Sequence, residues 1–127
     1  MNQEISVLIV EDEYVIQLLL EINLRRAGLI ICDSVSSGED AIRSAMHYSP
    51  DFILMDIRLT GGMDGIDAAR KITQNNRSKI IFISGYETSL LINRTADIHP
   101  LAFINKPIDF EELIHLIQSS NNKTHCE

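Results

Sequence analysis

The sequence predicts a doubly wound α/β sheet covered by helices on both faces. Three observations carry that prediction. Five short apolar runs, rich in β-branched and aromatic residues, recur along the chain. Several are continuous instead of alternating, as expected for strands of a parallel sheet buried on both faces. Helical patterns separate them, and strands alternating with helices build a parallel sheet through right-handed crossovers. With 127 residues the chain has room for one compact domain.

The elements follow in order. The first strand is "ISVLIV" (5–10). From Tyr14 to Ala27 a helix is expected, with Val15, Leu18, Leu19, Ile22 and Arg26 at three-to-four spacing as its inward stripe and Gly28 as its stop. "LIICDSV" (29–35) is the second strand, and "SGEDAIRSAMHYS" (37–49) a helix that starts after Ser36 or Ser37 and ends before Pro50. "DFILM" (51–55) precedes "GIDAARKITQNN" (65–76), which sets Ile66, Ala69 and Ile72 on one helical face. After the strand "KIIFIS" (79–84), "ETSLLINRTAD" (87–97) has the weakest pattern and predicts a short or loose helix. "LAFIN" (101–105) is the last strand. In "DFEELIHLIQSS" (109–120), Asp109 and Glu112 form an Asp-x-x-Glu capping box ahead of Leu113, Leu116 and Ile117. The domain is expected over 1–120, with 121–127 as a polar, frayed tail.

Composition narrows the function. Hydrophobic residues make up 45% and charged residues 23%, an ordinary globular mix. A net charge of −7, with no basic run, argues against a nucleic-acid-binding surface. No stretch reaches the roughly 18 apolar residues of a membrane span, and the start shows no basic-then-apolar signal. Cys32 and Cys126 lie far apart, which fits neither a disulfide framework nor a metal pattern. The expectation is a reduced, cytoplasmic domain.

In open parallel sheets ligands bind beyond the carboxyl ends of the strands. There the first strand ends in Glu11-Asp12, the third in Asp56, the fourth in Ser84, and the fifth runs into Asn105-Lys106-Pro107. Each residue alone has an ordinary reading: a helix cap, a turn hydroxyl, a solvated lysine. Their conjunction does not. Crowded carboxylates raise at least one pKa unless a cation is present, and Mg²⁺ binds well to a few oxygens plus waters.

"VLIVEDE" (7–13), "DFILMDIRL" (51–59) with Gly65, "IIFISGY" (80–86) and "INKPID" (104–109) together resemble the receiver domains of two-component response regulators. The resemblance spans positions 5 to 120. Asp12, Asp56, Ser84 and Lys106 are separated by 44, 28 and 22 residues, close to the family's spacing.

The resemblance implies a flavodoxin-like receiver fold of strand order 2-1-3-4-5 with five helices. It implies that Asp56 accepts a phosphoryl group from a histidine kinase, a phosphotransfer protein or a small donor. It implies Mg²⁺ held by Asp12, Asp56 and the Arg58 carbonyl, with Glu11 helping through water. Lys106 and Ser84 would contact the phosphoryl oxygens, Lys106-Pro107 would be cis, and Ser84 with Phe103 would form the switch. The surface over 87–119 would then contact an effector or a second copy. Such a domain catalyses only its own phosphorylation and slow dephosphorylation, so it is not otherwise an enzyme. It is equally compatible with a phosphorelay intermediate and with the receiver of a longer regulator or hybrid kinase.

The sequence departs from the family pattern in three places. Ser84 replaces the frequent Thr, Phe103 the frequent Tyr, and "RLTGGMDG" (58–65) lacks the usual Pro and is one residue longer. Two other classes fit less well. An aspartyl-phosphate phosphohydrolase wants a second Asp where Arg58 stands. A flavin-binding domain wants a phosphate cradle where Glu11-Asp12-Glu13 would repel one.

Overall fold

The computed structural model describes residues 4–85 and 91–121. Five parallel strands, β1 (Ser6–Val10), β2 (Ile30–Val35), β3 (Phe52–Asp56), β4 (Lys79–Ser84) and β5 (Ala102–Asn105), form one sheet of order β2-β1-β3-β4-β5. Among the described residues four helices connect successive strands, α1 (Tyr14–Arg26), α2 (Gly38–Tyr48), α3 (Gly65–Thr73) and α4 (Ile92–Thr95), and a fifth, α5 (Phe110–Ser119), follows β5. The predicted class and order are those observed.

The continuous apolar runs have the expected cause. Alternate residues of β1, β3 and β4 enter two separate cores, one on each sheet face. Val7, Ile9, Leu54, Ile81 and Ile83 pack with Leu20 and Leu24 of α1 and Leu113 and Ile117 of α5. Leu8, Val10, Ile53, Met55 and Phe82 pack with Ala41 and Ala45 of α2 and Ile66, Ala69 and Ile72 of α3. Edge strand β2 is only half-buried, which is why Asp33 and Ser34 are tolerated there.

Caps fix the helix ends. The Ser37, Asp64 and Asp109 side chains accept from the backbone N–H of Asp40, Asp67 and Glu112, each satisfying one orphan donor. Helix α1 ends in a Schellman turn: Gly28 N–H donates to Arg25 O and Leu29 N–H to Leu24 O. Gly28 sits at φ 86°, where a side chain would be strained. Among the described residues of the weakly patterned stretch, Ile92–Thr95 is helical, and 86–90 lie outside the described residues.

One expectation is overturned. The predicted inward stripe of α1 faces outward: Val15 is 66% exposed, and Leu18, Leu19 and Ile22 are exposed as well. The buried residues are Leu20 and Leu24, with Ile16 half-buried beside them. The reason lies in composition. Helix α1 is apolar on nearly every side, so two stripes compete for the sheet. Leu20 and Leu24 pack beneath it, each burial contributing about 1.5–3 kcal/mol.

Candidate functional site

Parallel register places the ends of β1, β3, β4 and β5 along one rim. There Asp12, Glu13, Asp56, Arg58, Ser84, Gly85 and Lys106 line a cleft of about 410 Å³. Asp56, the last residue of β3, is 3% exposed; Glu11, just past β1, is 1% exposed. Ligand oxygens of Glu11, Asp12 and Asp56 all lie within 4.8 Å of one another.

Asp56 is held from two sides. Its Oδ1 accepts the Arg58 backbone N–H at 3.2 Å, and its Oδ2 lies 3.3 Å from Lys106 Nζ. That ammonium is also 3.4 Å from Glu11 Oε1 and 3.4 Å from Glu13 Oε1. Lys106 is steered by the chain around it: its backbone N–H donates to Ser84 O, and the Lys106–Pro107 bond is cis. Asp12 Oδ2 accepts the Thr60 N–H across the loop after β3, at 3.2 Å. Gly65 is dictated by close approach, because a Cβ there would lie 2.1 Å from Asp56 O.

The electrostatics are unbalanced. Burial, and then the nearby Asp56 charge, raise the Glu11 carboxyl from an ordinary 4.5 to about 7, against the opposing pull of the Glu13 N–H. Burial also raises Asp56, although Glu11 and Lys106 pull it down. For Lys106, burial disfavours the ammonium, but Asp56 and Glu11 together outweigh it and raise the pKa. Glu11 Oε2 accepts the Glu13 N–H, whereas the buried Oε1 has no hydrogen-bond partner among the described residues. A hard divalent cation fits this donor set of clustered carboxylate oxygens.

The expected residues Glu11, Asp12, Asp56, Arg58, Ser84 and Lys106 therefore converge. Arg58 reaches Asp56 through its backbone N–H, and its residue is exposed. Phe103 stands apart from the cleft, half-buried and stacked on Phe82 at 5.6 Å between centroids, on the α2/α3 face of the sheet. Tyr86, which the family pattern places beside the cleft, lies outside the described residues. Sequence reasoning missed Glu13 and Thr60. Glu13 was visible only as the third member of an acidic run. Thr60 contributes a backbone donor, which leaves no mark in the sequence.

A family model for the response regulator receiver domain matches residues 7–118. The chain belongs to that family. The receiver is 32% identical over 112 residues to the transcriptional regulatory protein PdtaR of Mycobacterium tuberculosis, covering 88% of this chain and 54% of that protein. It is 30% identical over 118 residues to the response regulator ArlR of Staphylococcus aureus, covering 90% of this chain and 51% of that one. The receiver thus spans about half the length of these relatives. Among solved structures, a signal receiver domain of a modulated diguanylate cyclase from Desulfovibrio desulfuricans superposes with a TM-score of 0.85 at 30% identity. That match covers 93% of this chain and 94% of the other. The CheX–CheY–BeF3–Mg complex of Borrelia burgdorferi matches with a TM-score of 0.83 at 25% identity, covering 91% and 87%. Among the described residues no helix is long and apolar enough to cross a membrane.

Proposed function

We propose that this receiver accepts a phosphoryl group on Asp56 from a phosphohistidine of a histidine kinase or phosphotransfer protein. The observation that carries the reading is the convergence of a buried carboxylate, Asp56, with Lys106 Nζ 3.3 Å away and two further carboxylates. A carboxylate oxygen of Asp56 attacks phosphorus while the P–N bond breaks. The bonding pair returns to the imidazole nitrogen of the donor, and the product is an acyl phosphate. The Arg58 N–H holds Oδ1, so the carboxylate cannot rotate away, and the Lys106 ammonium offsets charge on the transferring group. Ser84 lines the cleft where its hydroxyl can donate to a phosphoryl oxygen.

Glu11, Asp12 and Asp56 would hold Mg²⁺, with the Arg58 carbonyl as a further ligand. The ion supplies charge neutralisation for the transferring group. The named Mg²⁺ and BeF3 of the Borrelia complex belong to that protein and support the same reading here. A histidine-kinase donor puts the receiver in the cytoplasm, with no catalysis beyond its own phosphorylation and dephosphorylation.

Phosphorylation would then bias a two-state surface. Ser84 moving toward phosphate vacates space that Phe103, now stacked on Phe82, can fill, and the 91–119 surface changes with it. The sequence pattern extends that surface to 87, outside the described residues. The reading holds alike for a relay intermediate and for the receiver of a longer regulator.

Incubation with acetyl phosphate and Mg²⁺ tests the proposal. One hydroxylamine-labile phosphoryl group is expected, and Asp56→Asn should carry none. Undiminished labelling of that variant would exclude Asp56 as the acceptor.

A further inference from the structure

Of the three carboxylates around the Lys106 ammonium, one has no part in the acceptor cluster. Asp56 Oδ2, Glu11 Oε1 and Glu13 Oε1 lie 3.3, 3.4 and 3.4 Å from Nζ. Asp56 and Glu11 are buried, and each is also held by a backbone N–H, from Arg58 and Glu13 respectively. With Asp12 they form the trio of carboxylates close enough to share a cation. The Glu13 side chain is 64% exposed and lines the cleft where it opens to solvent.

Glu13 holds the cap position of α1 in extended backbone, yet its side chain makes no cap hydrogen bond. Ser37, Asp64 and Asp109 turn theirs onto the helices they precede. The Glu13 carboxylate instead reaches Lys106, 93 residues away in sequence.

That contact works against the transfer. An incoming phosphoryl group needs the ammonium, which offsets its charge. Glu13 claims the same donor, and an ion pair this exposed is loose enough to be displaced. Its own charge also faces any anion entering the cleft, with a repulsion that grows with the charge of that anion. We propose that Glu13 sets donor specificity, disfavouring small, highly charged phosphoryl donors by occupying Lys106 and repelling them at the cleft entrance. Such discrimination rests on an unfavourable contact with the wrong partner. A protein donor offsets that contact with binding energy from the rest of its surface, which a small donor lacks. Glu13 is thus a positioning residue that acts through Lys106. The inference rests on Asp56 as the acceptor and adds to it a choice among donors.

Labelling rates at constant Mg²⁺ with acetyl phosphate, a dianion at neutral pH, and phosphoramidate, a monoanion there, provide the test. Asp56 attacks phosphorus in both. Acetate leaves with the bonding pair from the first, ammonia from the second. Glu13→Gln should raise the acetyl phosphate rate about two- to fivefold and the phosphoramidate rate less. Added salt should narrow the gap between variant and wild type. Glu4→Gln removes the same charge ahead of β1, at the amino edge of the sheet, and should leave both rates unchanged. Damage to the fold would lower both rates together, so the ratio of the two separates specificity from structure.

Equal acceleration with both donors, no acceleration, or slowing with either one in Glu13→Gln overturns the proposal. So does the same response in Glu4→Gln. A wild type labelled at Asp56, with an unchanged donor ratio in Glu13→Gln, rejects the role of Glu13 alone. Absence of labelling at Asp56 with both donors rejects the acceptor reading and this one together.

Discussion

The two edges of the sheet carry clefts of similar size and opposite electrostatic character. At the amino edge, Ser49, Asp51, Asn76, Ser78 and Lys79 help line about 440 Å³. Polar groups there meet local partners. Asp51 accepts the Ser6 N–H and hydroxyl, Ser78 donates to Pro50 O, and Lys79 donates to Ser120 O while lying over the Phe52 ring. At the carboxyl edge, carboxylates crowd one another and Glu11 keeps a buried oxygen without a hydrogen bond among the described residues. Cleft volume does not distinguish a structural edge from a chemical one. Unbalanced charge does.

Substitutions at the two edges should differ most in phosphorylation. Asp12→Ala, or chelation with EDTA, should abolish labelling by acetyl phosphate. Asp51→Asn should leave it at the wild-type level, with only a loss of stability of about 1–2 kcal/mol from two weakened hydrogen bonds. Equal loss in both variants, measured by intact mass, would erase the distinction between the edges.

The next effect belongs to the ammonium. Lys106→Ala should slow phosphorylation about 10²–10³-fold, the usual consequence of removing one preorganised charge donor. Lys79→Ala, at the other edge, should not slow it. Stopped-flow rates with a small donor measure both.

A third contrast is pH dependence. Glu11 titrates at about 7 in the folded protein and near 4.5 when ordinary. A raised acid pKa means that the folded state holds the proton more tightly. Its stabilisation is complete below about pH 4.5 and is lost as pH rises through about 7. Without metal, wild type should lose up to about 3 kcal/mol across that window relative to Glu11→Gln. Mg²⁺ should restore most of it at the alkaline end. Urea denaturation of both proteins at several pH values provides the comparison, and parallel curves would show that Glu11 is not perturbed.

The smallest effect concerns signal lifetime. Arg58 lines the cleft and the family pattern sets Tyr86 beside it; both are bulky, so they should slow the approach of water to the acyl phosphate. The double variant Arg58→Asn, Tyr86→Ala should dephosphorylate several-fold faster. Equal or slower decay would remove them from the water path.

How much of this was legible depends on what each residue contributes. Asp56 could be found because a carboxylate closing the run Phe52–Met55 breaks a burial pattern, and parallel topology then gathers the other strand ends beside it. The cap at Asp109 was legible, and the start of α2 was legible to Ser36 or Ser37, because such side chains satisfy specific backbone donors. The buried face of α1 was not. With Val15, Ile16, Leu18, Leu19, Leu20, Ile22 and Leu24 in one helix, periodicity cannot say which stripe meets the sheet. Sheet packing decides that, and it chose Leu20 and Leu24. Thr60 was hidden for a different reason, since any residue but proline offers the same N–H. The limits of the fourth helix stayed open because its sequence carries little amphipathic signal, and only Ile92–Thr95 is helical among the described residues.

The central claim is that charge at the carboxyl edge is arranged for a phosphoryl group on one particular carboxylate. Borohydride reduction of the acetyl-phosphate-treated protein, followed by peptide mass mapping, tests it most directly. The account predicts reduction of the acyl phosphate at Asp56, with Mg²⁺ present and not in EDTA. Reduction at Asp12, Glu11 or Asp51, or an unchanged yield in EDTA, would contradict it.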